Sequence, residues 1–267
     1  MKFTLLTFFS LVNLNAQNIA NSLEVVINAF NGINTNERHL THHFLDIAKN
    51  GQNIPYNDKV ALEAVGFNFT SSLVSRGGSE RSESVGLDKF IDSKFFRFHY
   101  TTSGIHAVDV KDLNNNSLPD YIDQVIEVFN HVSDKFHTEM GYTRPPSDGY
   151  YSSTRDKGGS DHYDVYIRAI PSKYYGYVQP EEYAQGKGDN ERSELRNEQN
   201  SFTSYMAIRN NYKKFSLSEL DNIKVTAAHE YFHAIQFGYD GWEKPWLLEA
   251  SAIWMEEEIY DEINDCY

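Results

Sequence analysis

The chain has 267 residues, 40% of them hydrophobic and 23% charged, a globular composition long enough for one or two domains. Its formal net charge of −14 argues against nucleic acid and anionic membrane as partners, and leaves carboxylates free for hard cations. A single cysteine, Cys266, excludes an internal disulfide, and past the leader no window approaches the ~20 apolar residues of a transmembrane helix.

Met1–Ala16 has the parts of a secretory signal peptide: Lys2, an apolar stretch from Phe3 to Leu14, and Ala16 at the cleavage point. The expected location is therefore secreted: extracellular, cell-surface or periplasmic. Residues 17–74 then read as helical. Leu23, Val26, Ile27 and Phe30 follow a helical period that Asn31-Gly32 stops. Leu40, Phe44, Leu45 and Ala48 predict a second helix, and Asp58–Val65 a short third. His39, His42 and His43 read as surface residues rather than ligands. Residues 75–89 are polar and aperiodic, a linker. The region before them is either a removable propeptide or an N-terminal subdomain.

The body, residues 90–267, opens with an alternating strand, Phe95–Thr101. A loop follows in which Asp112, Asn114, Asn116, Asp120 and Asp123 fall at positions 1, 3, 5, 9 and 12, with the Leu118 carbonyl at position 7. This is the spacing of an EF-hand-like calcium loop, with Ser117 in place of the usual Gly and Asp123 in place of Glu. The alternative is an Asn/Asp-rich turn that caps the next helix. An amphipathic helix covers Tyr121–His137, then strands at Tyr163–Ile170 and Tyr175–Val178, a polar loop from Gln179 to Asn200, and a strand at Phe202–Arg209. Ser216–Glu219 has a capping-box pattern and opens a helix ending near Gly238, and a last helix carries Glu249 to about Ile259. The expected class is α+β: a small mixed or antiparallel sheet packed on the penultimate helix, preceded by the helical N-terminal region.

That penultimate helix holds His229-Glu230-Tyr231-Phe232-His233, an H-E-x-x-H pattern. Positions i and i+4 project about 40° apart on a helix, which suits two imidazoles on one zinc with the glutamate placed to take a proton from water. Glu249, fifteen residues beyond His233, supplies a third ligand and leaves a fourth position for water.

Trp246-Leu-Leu-Glu-Ala-Ser-Ala-Ile-Trp-Met-Glu256 resembles the W-L-x-E-G-x-A-x-W-x-E segment of zinc aminopeptidases, whose glutamate is the third zinc ligand in the gluzincin class that includes thermolysin. Residues 90–267 also resemble an uncharacterised family of exported bacterial metalloproteases. The resemblance implies a zincin-like fold, zinc bound by His229, His233 and Glu249, and hydrolysis of protein or peptide substrates with Glu230 as general base. By the same analogy, the strand near Ser204–Arg209 is the edge strand that pairs with substrate, and Tyr260 or Tyr267 stabilises the oxyanion.

The chain departs from the families in several places. The fifteen-residue gap is shorter than theirs, and Ile253 stands where thermolysin-like enzymes carry an aspartate. Glu256 lies on the same helical face and either orients a ligand histidine from the second shell or belongs to the solvated run Glu256–Glu258. Gln236 and Tyr239 exclude the metzincin pattern, and no G-x-M-E-N motif is present, so an endopeptidase is expected. The chain also ends soon after the third ligand, where gluzincins continue into a further helical subdomain, so the body reads either as C-terminally incomplete or as one whose remaining wall comes from elsewhere. The rival readings are a calcium-stabilised binding or adhesion protein on an inactive peptidase scaffold, and a zinc hydrolase acting on something other than peptides.

Overall fold

Alternating aromatic residues build the centre of the molecule. In a computed structural model, which describes residues 19–67, 84–147, 158–171, 173–184 and 200–263, Phe96, Phe98 and Tyr100 point to one side of a five-stranded sheet. The signal peptide, the greater part of the linker, Cys266 and Tyr267 lie outside the described residues.

The strands are β1 (Lys89–Ser93), β2 (Phe96–Tyr100), β3 (Tyr163–Arg168), β4 (Gly176–Tyr183) and β5 (Phe202–Arg209), in the order β1-β2-β3-β5-β4. β2, β3 and β5 run parallel, while β1 and β4 are antiparallel to their neighbours, so the sheet is mixed. β1 was not expected. It is short and largely exposed, and Lys89 and Asp92 flank its only two apolar residues, so it carries little of the hydrophobic signal that marks a strand. The expected substrate-pairing strand, Ser204–Arg209, is corrected: β5 is paired on both sides, and the edges of the sheet are β1 and β4.

Six helices flank the sheet among the described residues: α1 (19–30), α2 (Thr41–Lys49), α3 (Tyr56–Ala64), α4 (Asp120–Asp134), α5 (Glu219–Asp240) and α6 (Pro245–Ile259). α4 continues into a π-helical turn at Lys135–Glu139. One face of the sheet presents Phe96, Phe98, Val165, Ile167, Met206 and Ile208 to α4, α5 and α6. The other presents Tyr166, Tyr177, Tyr205 and Ala207 to α1–α3. Successive side chains of a strand point to opposite faces, so the same strands feed both layers. The N-terminal helical region is thus the third layer of the fold, packed on the sheet.

α5 starts two residues later than the Ser216 box implies. Ser218 is its N-cap, accepting a hydrogen bond from the Asp221 N–H at 3.1 Å, and the helix runs past Gly238 to Asp240. α6 begins with Pro245 at its first turn, where the missing N–H costs nothing.

Candidate metal centre

α5 is buried along nearly its whole length, and its His229, Glu230 and His233 lie inside the protein, 5%, 4% and 0% exposed. Charged and polar groups so placed need partners, because burial without them costs several kcal/mol on the order of 2–7 each. α6 crosses the same region and brings Glu249 to the histidines.

The three expected ligands converge. His229 Nε2 is 3.0 Å from His233 Nε2 and 3.4 Å from Glu249 Oε2, and His233 Nε2 is 3.6 Å from Glu249 Oε1. A tetrahedral zinc with ligands at about 2.0–2.1 Å separates them by about 3.3–3.4 Å, so the spacing fits.

The outer nitrogens of both histidines are already committed. His229 Nδ1 lies 2.6 Å from Glu256 Oε1, a carboxylate that only accepts, so this nitrogen carries the proton. His233 Nδ1 lies 2.7 Å from Gln236 Oε1. That amide's orientation is fixed because its Nε2 donates to the Leu248 carbonyl and to Ser251 Oγ. In the neutral tautomers both Nε2 atoms therefore turn bare lone pairs toward each other and toward Glu249. Glu249 Oε2 is itself buried with no hydrogen-bond partner among the described residues. Such a pocket requires a cation at its centre, which a proton or a metal ion supplies.

With protons alone to balance it, the cluster is strongly polarised. Burial disfavours the charged form of His229, but Glu249 and Glu256 outweigh it and hold the imidazole well above its ordinary value. Burial likewise pushes the Glu249 carboxyl up, yet the His233 charge, the close His229 imidazole and the hydrogen bond from His42 hold it far below the carboxylate range. Glu230 is raised, chiefly by burial, against the pull of His229 and His233.

Glu256 is not a solvated member of an acidic run. It is 8% exposed and turned onto His229. Gln236, noticed in the sequence only as a departure from another pattern, performs the same service for His233. It stands three residues on, hence on the same helical face, which is a signal the sequence did contain.

The largest correction concerns the N-terminal histidines. His43 is 3% exposed and shares a 3.0 Å hydrogen bond with Ser22. His42 Nδ1 donates to Glu249 Oε1 at 3.0 Å, and the His39 ring lies parallel to that of His229 with centroids 4.8 Å apart. Burial and the His229 charge lower His39 to about 4. Between them Thr41 Oγ1 donates to Glu230 Oε2 at 3.0 Å. Helical periodicity placed the apolar residues of α2 correctly but could not reveal that its polar edge meets α5 and α6 across the end of the sheet.

A cleft of about 440 Å³ opens beside this cluster, lined by Lys173, Tyr175, Gly176, Thr226, His229 and Glu230 among others. Gly176 has a packing reason: a Cβ there would lie 3.0 Å from both the Ala207 carbonyl and Glu230 Cγ, tighter than an ordinary contact, so glycine eases the close passage of β4 beside β5 and α5. Tyr260 is not at the cleft. Its ring lies 5.6 Å from that of His131, with the Lys224 ammonium 5.2 Å from its centroid.

The Asp112–Asp123 loop is a second, exposed cluster. Asp112 accepts from the Asn116 and Ser117 N–H groups at 3.1 and 2.9 Å, while the Asn114 and Asn116 amides reach Asp123 at 3.0 Å. Asp120 accepts from the Leu113 N–H at 2.9 Å, and the Leu118 N–H donates to Asn116 at 2.8 Å. Ser117 has φ +70°, so the sixth loop position adopts the left-handed conformation for which calcium loops use glycine.

Comparison with known protein families, curated proteins and solved structures gives no match for this chain, so its chemistry is argued from its own residues.

Proposed function

We propose that this chain is a secreted zinc metallopeptidase of gluzincin type on a zincin-like fold. The observation that carries the reading is the convergence of His229 Nε2, His233 Nε2 and Glu249, with the outer nitrogens of both imidazoles engaged by Glu256 and Gln236 and Glu249 Oε2 left without a hydrogen-bond partner among the described residues. Two histidines and a carboxylate form the donor set of catalytic zinc, and this one is complete. Zinc, when bound, acts as a Lewis acid that polarises a carbonyl and acidifies water.

The other roles belong to the protein. Glu230 sits next to the ligands, and its raised affinity for protons suits a group that takes one at its carboxylate and later releases it to a leaving amine. The cleft lies beside Gly176 at the start of the edge strand β4, where an extended peptide can add as a strand once Thr41 releases the Val178 N–H. The Asp112–Asp123 loop is assigned to calcium in a structural role, with Asp112, Asn114, Asn116, Leu118, Asp120 and Asp123 as ligands.

Zinc content and cleavage of casein and a peptide library test the reading. A single zinc per chain is expected, retained in Glu230→Gln. Cleavage is measured in a His39→Ala/Thr41→Ala background, which frees both Glu230 and the face of His229, and Glu230→Gln added to it should lower the rate on the order of 10²–10⁴-fold. No bound zinc would sink the site; zinc without cleavage in that background would sink the peptidase.

A further inference from the structure

Arg38–His43 lies across the metal centre of the same chain. Its Thr41 hydroxyl spends both of its capacities there: it donates to Glu230 Oε2 and accepts from the Val178 N–H, each at 3.0 Å. Val178 belongs to the edge strand β4, so the N–H that Thr41 takes is one a peptide added to that edge would use. A third contact comes from His42, whose N–H fixes Glu249 Oε1.

The fourth is His39. Its Nδ1 lies 3.5 Å from Glu249 Oε2, close to the edge of a zinc tetrahedron, and donor atoms of His39, His229 and Glu249 all fall within 4.8 Å of one another. His42 is already engaged as a donor to the carboxylate, whereas His39 stacks on the His229 ring and meets Glu249 Oε2 only at 3.5 Å.

We infer that the N-terminal layer closes the metal centre of its own chain, His39 serving as a fourth protein ligand while Thr41 holds Glu230 and the Val178 amide, so that the intact chain is a latent form. The inference rests on the metal-site reading above. Catalytic zinc sites keep one position open, and a fourth protein ligand makes a closed site that cannot admit water or a carbonyl. The closing segment does not stand alone. Leu40, Phe44, Leu45 and Ile47 are buried, and Phe44 packs on Tyr177 of β4 with ring centroids 5.0 Å apart. Opening the site therefore means lifting α2 off the sheet.

Cobalt(II) in place of zinc reads the coordination sphere through its visible absorption, independently of activity. Acetohydroxamate should leave the spectrum of the full wild-type chain unchanged and alter that of His39→Ala, with zinc affinity in the variant lower by tenfold or more, at least on the scale of a lost outer-shell partner. His42→Ala and Thr41→Ala should each keep the closed spectrum and the low casein cleavage of the wild type, and Thr41→Ala should add to cleavage only in the double variant with His39→Ala. His39→Asn repeats the key arm, and circular dichroism checks that each variant is folded. A wild-type spectrum as responsive as that of His39→Ala, or opening by His42→Ala instead, would overturn the inference. Failure of every form to bind cobalt or zinc would instead overturn the metal site beneath it.

Discussion

The molecule carries two clusters that ask for a cation, and they are built on opposite principles. The α5–α6 cluster is buried, and its outer hydrogen bonds aim the two inner imidazole nitrogens at each other and at Glu249. The Asp112–Asp123 loop is exposed, and its side chains satisfy one another and the loop's own N–H groups. Burial converts an unfilled coordination sphere into a cost borne by the whole fold, whereas water can stand in for a missing ion at the surface. The first cluster should therefore be coupled to global stability and the second only to its own loop.

Zinc provides the strongest way to break that comparison. At about a thousand times its dissociation constant, an ion that binds only the folded state adds ~4 kcal/mol, roughly 8–16 °C in Tm for a chain of this size. Glu249→Ala should abolish the rise. If thermal unfolding is indifferent to zinc, the buried cluster is balanced by protons and the contrast fails.

Acid tests the same burial from the side of the N-terminal layer. His43 is buried, and that burial first, then the neighbouring His42 charge, lowers it from 6.5 to about 3. Between those values the unfolded chain binds a proton that the folded chain refuses, so stability is full above about 6.5 and falls as pH drops toward 3. The loss by pH 4 is on the order of 3 kcal/mol, and His43→Gln should remove it from a series of urea melts taken at stepped pH. An unchanged acid limb in that variant would place the sensitivity elsewhere.

The residues that orient the buried ligands give a smaller effect. Glu256→Gln leaves His229 in place but weakens its Nδ1 partner, and zinc affinity should fall on the order of 10–100-fold, measured by competition with a chelator. Equal affinity would return Glu256 to the role of a bystander.

These residues also mark where the sequence stopped being readable. The three proposed ligands were legible because two of them share a helical turn and the third sits in a tryptophan-flanked segment. Glu256 and Gln236 were within reach, since seven and three residues along a helix return to the same face. His39, Thr41 and His42 were not. Their relation to α5 depends on how a third layer seats on the sheet, and α2's apolar period specifies only that it packs, not what its polar edge meets. The edge strand was misplaced for a related reason. β5 precedes the motif helix in the chain, but which strand lies outermost is decided by the later insertion of β5 between β3 and β4, which local pattern does not encode.

The exposed loop should show the smallest response, and its size is what distinguishes the two clusters. At about ten times its dissociation constant calcium adds ~1.4 kcal/mol, about 3–6 °C in Tm, and Asp123→Ala should remove that increment without altering zinc affinity. Asp123 is the right probe because it accepts from both Asn114 and Asn116, so it gathers the loop whether or not an ion is present. Binding would require those amides to turn their oxygens inward, a low-cost rotation at an exposed site. Calcium that stabilised the fold as much as zinc does would mean that the loop is wired into the core through α4, whose first residue follows Pro119 directly. Independence of the two increments in the doubly loaded protein would keep the clusters separate, since distant sites that share no partners add.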